Sequence, residues 1–106
     1  MKLSTAAFFV LVALAQGKRH GYAIIKDVEA RTDGEVILLP GTLYRLISQL
    51  SRDKWIVEVP GGANDDPRRR YYRLSANGRQ GLASEVARLE DMVKVARKGR
   101  LLVGGA

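Results

Sequence analysis

At 106 residues with a formal charge of +7, from 18 Lys and Arg against 11 Asp and Glu, the chain has room for one domain and a modest core, short of what an enzyme with a lid and a deep cleft needs. Having no cysteine and a single histidine, it offers no disulfide scaffold and no convincing zinc set, so neither metal nor cofactor is expected, and a cytoplasmic location is. The positive excess suits a polyanionic partner, nucleic acid or an anionic membrane face, without choosing between them.

Met1-Lys2 and the apolar run Ala6 to Ala15, with Ala13-Leu14-Ala15 as an A-x-A site, imitate a secretory signal. The competing reading is a first helix over Ala6 to Gln16, capped by Ser4 or Thr5, stopped by Gly17 and buried on most sides. Cleavage after Ala15 would strip the segment best suited to cover the next two helices, so the helix reading is preferred. The run is too short to span a bilayer, and no membrane partner is expected.

Residues 17–21 (Gly17-Lys18-Arg19-His20-Gly21) read as a loop, with Lys18 and Arg19 adding general electrostatics and His20 acting as a loop hydrogen-bonder. Tyr22 to Arg31 resumes helical spacing through Ile24, Ile25 and Val28, and Asp33-Gly34 ends it. After the apolar patch Val36 to Leu39, Pro40-Gly41 suits a turn and a helix start.

A third helix is predicted from about Thr42 to Asp53, burying Leu43, Leu46, Ile47 and Leu50 at i, i+3, i+4 and i+7. At about 100° per residue, Arg45, Ser48 and Arg52 lie opposite that stripe, with Tyr44 and Gln49 on its shoulders. The exposed face is therefore basic and polar, without an acid until Asp53. A solvated surface would explain the helix alone, but less well a basic helix joined directly to a basic hairpin.

Trp55 to Val59 and Arg70 to Leu74 are rich in β-branched and aromatic residues, and the turn-forming stretch Pro60 to Pro67 separates them, so the segment reads as a β-hairpin with a long tip. Arg68, Arg69 and Arg70 fall at the tip, within reach of phosphates or a minor-groove edge. Asp65 and Asp66 leave open an internally paired tip.

Ser75 caps a last helix in which Leu82, Val86, Leu89, Val93 and Ala96 are spaced 4, 3, 4 and 3 apart, a narrow seam for a partner helix. This predicts a domain over residues 1–75 and a dimerisation helix over residues 76–106, with Gly99 and Leu101 to Ala106 fraying. Folding back onto its own domain is the alternative for this helix.

The order of Leu14-Ala15-Gln16-Gly17, His20-Gly21-Tyr22-Ala23-Ile24, Pro40-Gly41-Thr42-Leu43-Tyr44-Arg45-Leu46, Leu50, Arg69-Arg70-Tyr71-Tyr72-Arg73-Leu74 and Gly78-Arg79 resembles the PadR family of bacterial transcriptional regulators. It spans most of the chain. Two positions depart from the family pattern: Ser51 replaces a usual Glu, and Lys54 replaces a Gly where a left-handed cap is expected, at about 1 kcal/mol. The resemblance implies an α+β, mainly α, winged helix-turn-helix with a C-terminal dimerisation helix, acting as a homodimeric repressor on double-stranded DNA with a palindromic operator. The third helix would enter the major groove, with Arg45 as the leading base contact, Thr42 and Tyr44 near a phosphate, and Ser48, Gln49 and Arg52 beside them. Tyr22 would reach a backbone phosphate from the second helix unless it packs on the core. Some members respond to planar small molecules; here Leu89, Met92 and Val93 are the candidate lining, although interface core is their simpler role.

A winged-helix protein-interaction module would share this fold but would call for an apolar or mixed third-helix face. A secreted basic peptide would require the cleavage after Ala15. An enzyme is disfavoured by the lack of a nucleophile–base pair, a phosphate loop or a close acid pair beyond the solvated Asp65-Asp66 and Glu90-Asp91.

Overall fold

A computed structural model describes residues 3–99; the expected fraying of Leu101 to Ala106 and the start of the signal-like segment at Met1-Lys2 lie outside the described residues. Seven elements succeed one another: α1 (Thr5–Ala15), β1 (Arg19–His20), α2 (Gly21–Arg31), α3 (Pro40–Arg52), β2 (Ile56–Val59), β3 (Tyr71–Leu74) and α4 (Ala76–Lys98).

α1 is the centre of the core. Ser4 caps it through its side chain, which accepts from the Ala7 N–H at 3.1 Å, and Ala7, Val10, Leu11, Ala13 and Leu14 are buried. A helix apolar on nearly every side must be covered on nearly every side, and α2, β3 and α4 all pack on it. Removing the chain up to Ala15 would take Val10, Leu11 and Leu14 out of this core.

α2 and α3 come next as two helices joined by residues 32–39, and their buried residues, Ile24, Val28, Leu43, Leu46, Ile47 and Leu50, meet beneath α1. The stop after α2 uses two left-handed residues, Asp33 at φ 52° and Gly34 at φ 80°. α3 starts two residues earlier than its spacing suggests, because Pro40 takes the first helical position, where its missing N–H costs nothing. Its stop places Lys54 at φ 63°, the left-handed geometry in which a Gly would be unstrained.

The sheet has the order β1-β3-β2 and is antiparallel throughout. Ile56 pairs with Leu74 and Val59 with Tyr71 across the hairpin. Its third strand corrects the sequence reading: Arg19 and His20, expected in a loop, pair with Tyr72 and Tyr71. Two residues carry no readable alternation, and this strand exists because β3 presents a free edge to it.

Ser75 joins the hairpin to α4. Its hydroxyl accepts from the Gly78 N–H at 2.9 Å and donates to the Lys54 carbonyl at 2.6 Å, while its N–H donates to the Trp55 carbonyl at 3.0 Å. The first half of α4 lies on α1 and β3; beyond it the helix projects, giving the molecule dimensions of 55 × 28 × 23 Å. The architecture is a winged helix-turn-helix: three helices, a β-hairpin wing and a long terminal helix.

Candidate nucleic-acid interface

α3 turns Leu43, Leu46, Ile47 and Leu50 into the core and leaves Tyr44, Arg45, Ser48, Gln49, Ser51 and Arg52 exposed, with Thr42 half-buried. No acid occurs between Pro40 and Arg52, so the exposed face carries only positive charge and neutral hydrogen-bonding groups. Six of these seven residues divide between two hollows, and Arg52 lines neither. Tyr44, Ser48 and Ser51 face a groove of about 720 Å³ shared with His20, Gly21 and Tyr22 on one side and Glu58, Arg68, Arg69, Arg70 and Tyr72 on the other. Thr42, Arg45 and Gln49 face a second hollow of about 410 Å³ beside Leu3, Ser4, Ala6 and Ala7 at the start of α1. In the sequence Ser51 stands out only as a departure from the family pattern, yet it lines the groove between helix and wing.

Tyr22 is 59 % exposed, which answers the alternative that it packs on the core. Two cations approach its ring, Lys26 Nζ at 5.6 Å and the Arg69 guanidinium at 5.9 Å from the centroid. Tyr72, by contrast, is buried at the groove floor, where burial first and the Glu58 carboxylate second push its phenol above its ordinary range; it is neutral there.

The three wing arginines differ in how they are held. Arg68 reaches Asp66 at 3.2 Å with its side chain 89 % exposed, and Arg70 stands 3.9 Å from Glu58 and is likewise largely exposed. Arg69 is turned inward, 3.9 Å from Asp66 and against the His20 ring. The hairpin tip is thus internally paired in part. Arg68 hydrogen bonds hold the Asp66 carboxyl below its ordinary pKa, and a hydrogen bond from Lys18 does the same for Asp65, reinforced by the Gly62 N–H.

Lys18 and Arg19 prove to be structural cations. Lys18 donates to Asp65 at 2.8 Å, pinning the wing to the end of α1. Arg19 donates to the Ala13 carbonyl at 3.0 Å and lies 3.5 Å from Asp27. Nothing in the local sequence around Lys18 points to a partner in the distant wing. His20 is the side-chain cap of α2, accepting from the Ala23 N–H at 3.1 Å through Nδ1.

On α4 the expected seam divides. Leu82 is 9 % exposed and belongs to the domain's own core, because α4 rests on α1 at that point. Val86, Leu89 and Val93 are exposed, as are Met92 and Val95, and Ala96 is half-buried. Phe8 of α1 joins Val86, Leu89, Glu90, Val93 and Lys94 around an apolar groove of about 370 Å³. It supplies the aromatic side chain that α4 itself lacks. Beside this groove, Glu85 is buried against α1 and takes a two-point hydrogen bond from Arg88, at 2.6 and 3.0 Å.

No described helix is long and apolar enough to cross a membrane. Among the described residues, no group of three or more His, Cys, Asp or Glu side chains converges on a metal-sized site.

Comparison with known proteins gives a consistent answer. The transcriptional regulator PadR-like family matches residues 10–84. A transcriptional regulator from Clostridium thermocellum superposes with a TM-score of 0.74 at 25% identity, over 92% of this chain and 97% of that one. A PadR family transcription regulator from Clostridium difficile does so with a TM-score of 0.75 at 22% identity, over 90% and 97%. Bordetella bronchiseptica BpsR, whose DNA binding is regulated by 6-hydroxynicotinic acid, gives 0.71 at 24% identity, over 89% of this chain and 61% of that one. A protein from Lysinibacillus sphaericus, itself uncharacterised, is 25% identical over 93 residues, 85% of each chain.

Proposed function

The chain belongs to the PadR-like family of transcriptional regulators, which are not enzymes, and on that premise we propose that it is a homodimeric repressor that binds a palindromic operator through α3 and the wing. One observation carries this reading: the exposed face of α3 bears no acid, and its Tyr44, Ser48 and Ser51 share a groove with Arg68 and Arg70 of the wing, while Arg45 and Gln49 front the hollow beside the start of α1. A helix inserted in the major groove would bring Arg45 to base edges, where a guanidinium bonds guanine in two-point fashion, with Ser48, Gln49 and Arg52 alongside. Thr42 and Tyr44 lie in the first turns of α3, where backbone N–H groups and the helix dipole favour a phosphate. Tyr22 reaches the phosphate backbone from α2, and Arg68 and Arg70 do so from the wing.

The dimer reading is supported by the projecting half of α4. Val86, Leu89, Val93 and Ala96, together with Met92, form an apolar stripe flanked by the Phe8 groove, and a second copy of α4 is the occupant that its 4-3 spacing fits. Two-fold pairing then sets two α3 helices about 34 Å apart, on successive major grooves. Repression is the proposed sign because a dimer seated on an operator can block polymerase by occupancy alone. The Phe8-lined groove is also where an effector would enter, at the cost of contacts with the partner helix. The reading places the protein in the cytoplasm, with its DNA.

The test is fluorescence-polarisation binding of the purified protein to the DNA upstream of its own gene and to a scrambled duplex, across a salt series. Tighter binding to the upstream DNA supports sequence-specific regulation; equal, salt-dependent binding to both leaves only a basic surface. Binding to neither, by a folded dimer, points to a protein-interaction module instead.

A further inference from the structure

His20 stands where β1, α2, β3 and the wing meet. Its Nδ1 accepts from the Ala23 N–H, its ring packs edge-on to Tyr71 at 5.4 Å, and Arg69 Nη1 lies against the ring edge, 2.5 Å from Nε2 and 3.1 Å from Nδ1. The Arg69 side chain is 45% exposed, against 89% for Arg68 and 75% for Arg70, so it is folded back while its neighbours point outward. It also leans on the Tyr22 ring and is held within the wing by Asp66.

We propose that His20 is a positioning residue for DNA binding: its neutral ring, capping α2 through Nδ1, lets Arg69 pack against it, which fixes the wing against α2, and its protonation sets two like charges together and releases the wing. This rests on the DNA-binding reading above. Arg69 on this account is a clasp, and phosphate contact from the wing falls to Arg68 and Arg70.

The chemistry favours a neutral ring. An imidazolium has no lone pair on Nδ1 to cap α2, and its charge would face both the Arg69 guanidinium and the positive end of the helix. The charged groups around it are Arg69, Asp65 and Asp66, all from the wing; Lys18 and Lys26 approach Tyr71 and Tyr22 instead, at 5.2 and 5.6 Å. Burial first and Arg69 second hold the His20 pKa below its ordinary 6.5, with Asp65 and Asp66 opposing. Both carboxylates already have partners, Asp65 in Lys18 and the Gly62 N–H, and Asp66 in Arg68.

The sole histidine can be followed directly by proton NMR. In the free protein, the His20 ring is expected to titrate below its ordinary value, with the backbone amides of Arg68, Arg69 and Tyr71 shifting at the same midpoint; in Arg69→Gln the ring midpoint moves up. A ring that titrates with no response in the wing, or a midpoint indifferent to Arg69→Gln, overturns the proposal. For binding, the probe is a duplex selected from a random-sequence pool by the wild-type protein at about pH 7.5. At constant ionic strength, wild-type affinity is expected to fall about three- to tenfold on going to about pH 5.5, whereas His20→Asn, which keeps a cap acceptor, stays nearly flat. An affinity that rises on acidification, as for an imidazolium beside a phosphate, overturns the proposal, as does a flat wild-type profile. If no duplex is enriched, the DNA-binding reading itself fails, while the NMR titration still decides whether His20 controls the wing.

Discussion

The backbone carbonyl of Trp55 fills the space beside Gly78, so that a Cβ on Gly78 would overlap its oxygen. The contact seats the first turn of α4 on the start of the wing, next to the bond from the Ser75 N–H to the same carbonyl. Gly81, one turn on, lies under the Trp55 ring, where a Cβ would press on Cη2. Gly78→Ala is therefore expected to destabilise the domain by about 2–4 kcal/mol, because backbone must move to admit the methyl group. Gly81→Ala should cost less, since the indole can shift. Thermal unfolding of both variants checks the order.

Lys54 sits at φ 63°, a conformation that L side chains adopt at a cost. Lys54→Gly is expected to stabilise the protein by about 0.5–1 kcal/mol, raising Tm by a few degrees. An unchanged or lower Tm would show that the wider freedom of Gly in the unfolded chain outweighs the relieved strain.

The pH dependence of stability should show two limbs. The His20 pKa is lowered by folding, so the unfolded chain binds the proton first, and stability falls as pH drops below 6.5 towards the folded value. Glu85 is also lowered, chiefly by its hydrogen bonds from Arg88. Its contribution is present above the ordinary 4.5 and is lost as pH falls through the depressed value. Urea unfolding across pH should lose the upper limb in His20→Asn and show a shallower lower one in Glu85→Gln, since the depressed carboxyls of Asp27, Asp65 and Asp66 still contribute there.

Val86 and Leu89 lie on the projecting part of α4, clear of the domain core. The double change Val86→Glu and Leu89→Glu should convert a dimer to a folded monomer in sedimentation equilibrium, and weaken operator binding by about 100-fold or more through lost avidity. Leu82→Ala should act differently, lowering the melting temperature through a cavity costing about 2–5 kcal/mol.

Arg45→Ala should remove about 1–3 kcal/mol of discrimination at one base pair of each half-site, while Arg68→Ala weakens binding to all sequences alike and lowers the salt slope by about one. Binding to a set of singly substituted duplexes separates the two.

The helices are legible in the sequence because each carries its own punctuation. Ser4 and Ser75 cap, Pro40 starts, Gly34 stops, and the stripe from Leu43 to Leu50 fixes which face of α3 is free. The hidden features depend on chain segments far apart in sequence. β1 needs the edge of β3, Lys18 finds Asp65 in the wing, and Arg69 finds His20. Leu82 has the spacing of a seam residue, and only the height at which α4 leaves α1 puts it in the core. Gly78 and Gly81 read as weak helix residues until Trp55 is placed against them. Ser51 looks incidental because its role is set by the wing across the groove.

Hydroxyl-radical footprinting of the wild-type protein on a selected duplex tests the central claim most directly. Two protected patches about one helical turn apart, symmetric about the centre of a palindrome, are expected from a dimer that sets an α3 helix in each of two major grooves. A single patch, or protection without symmetry, would contradict it.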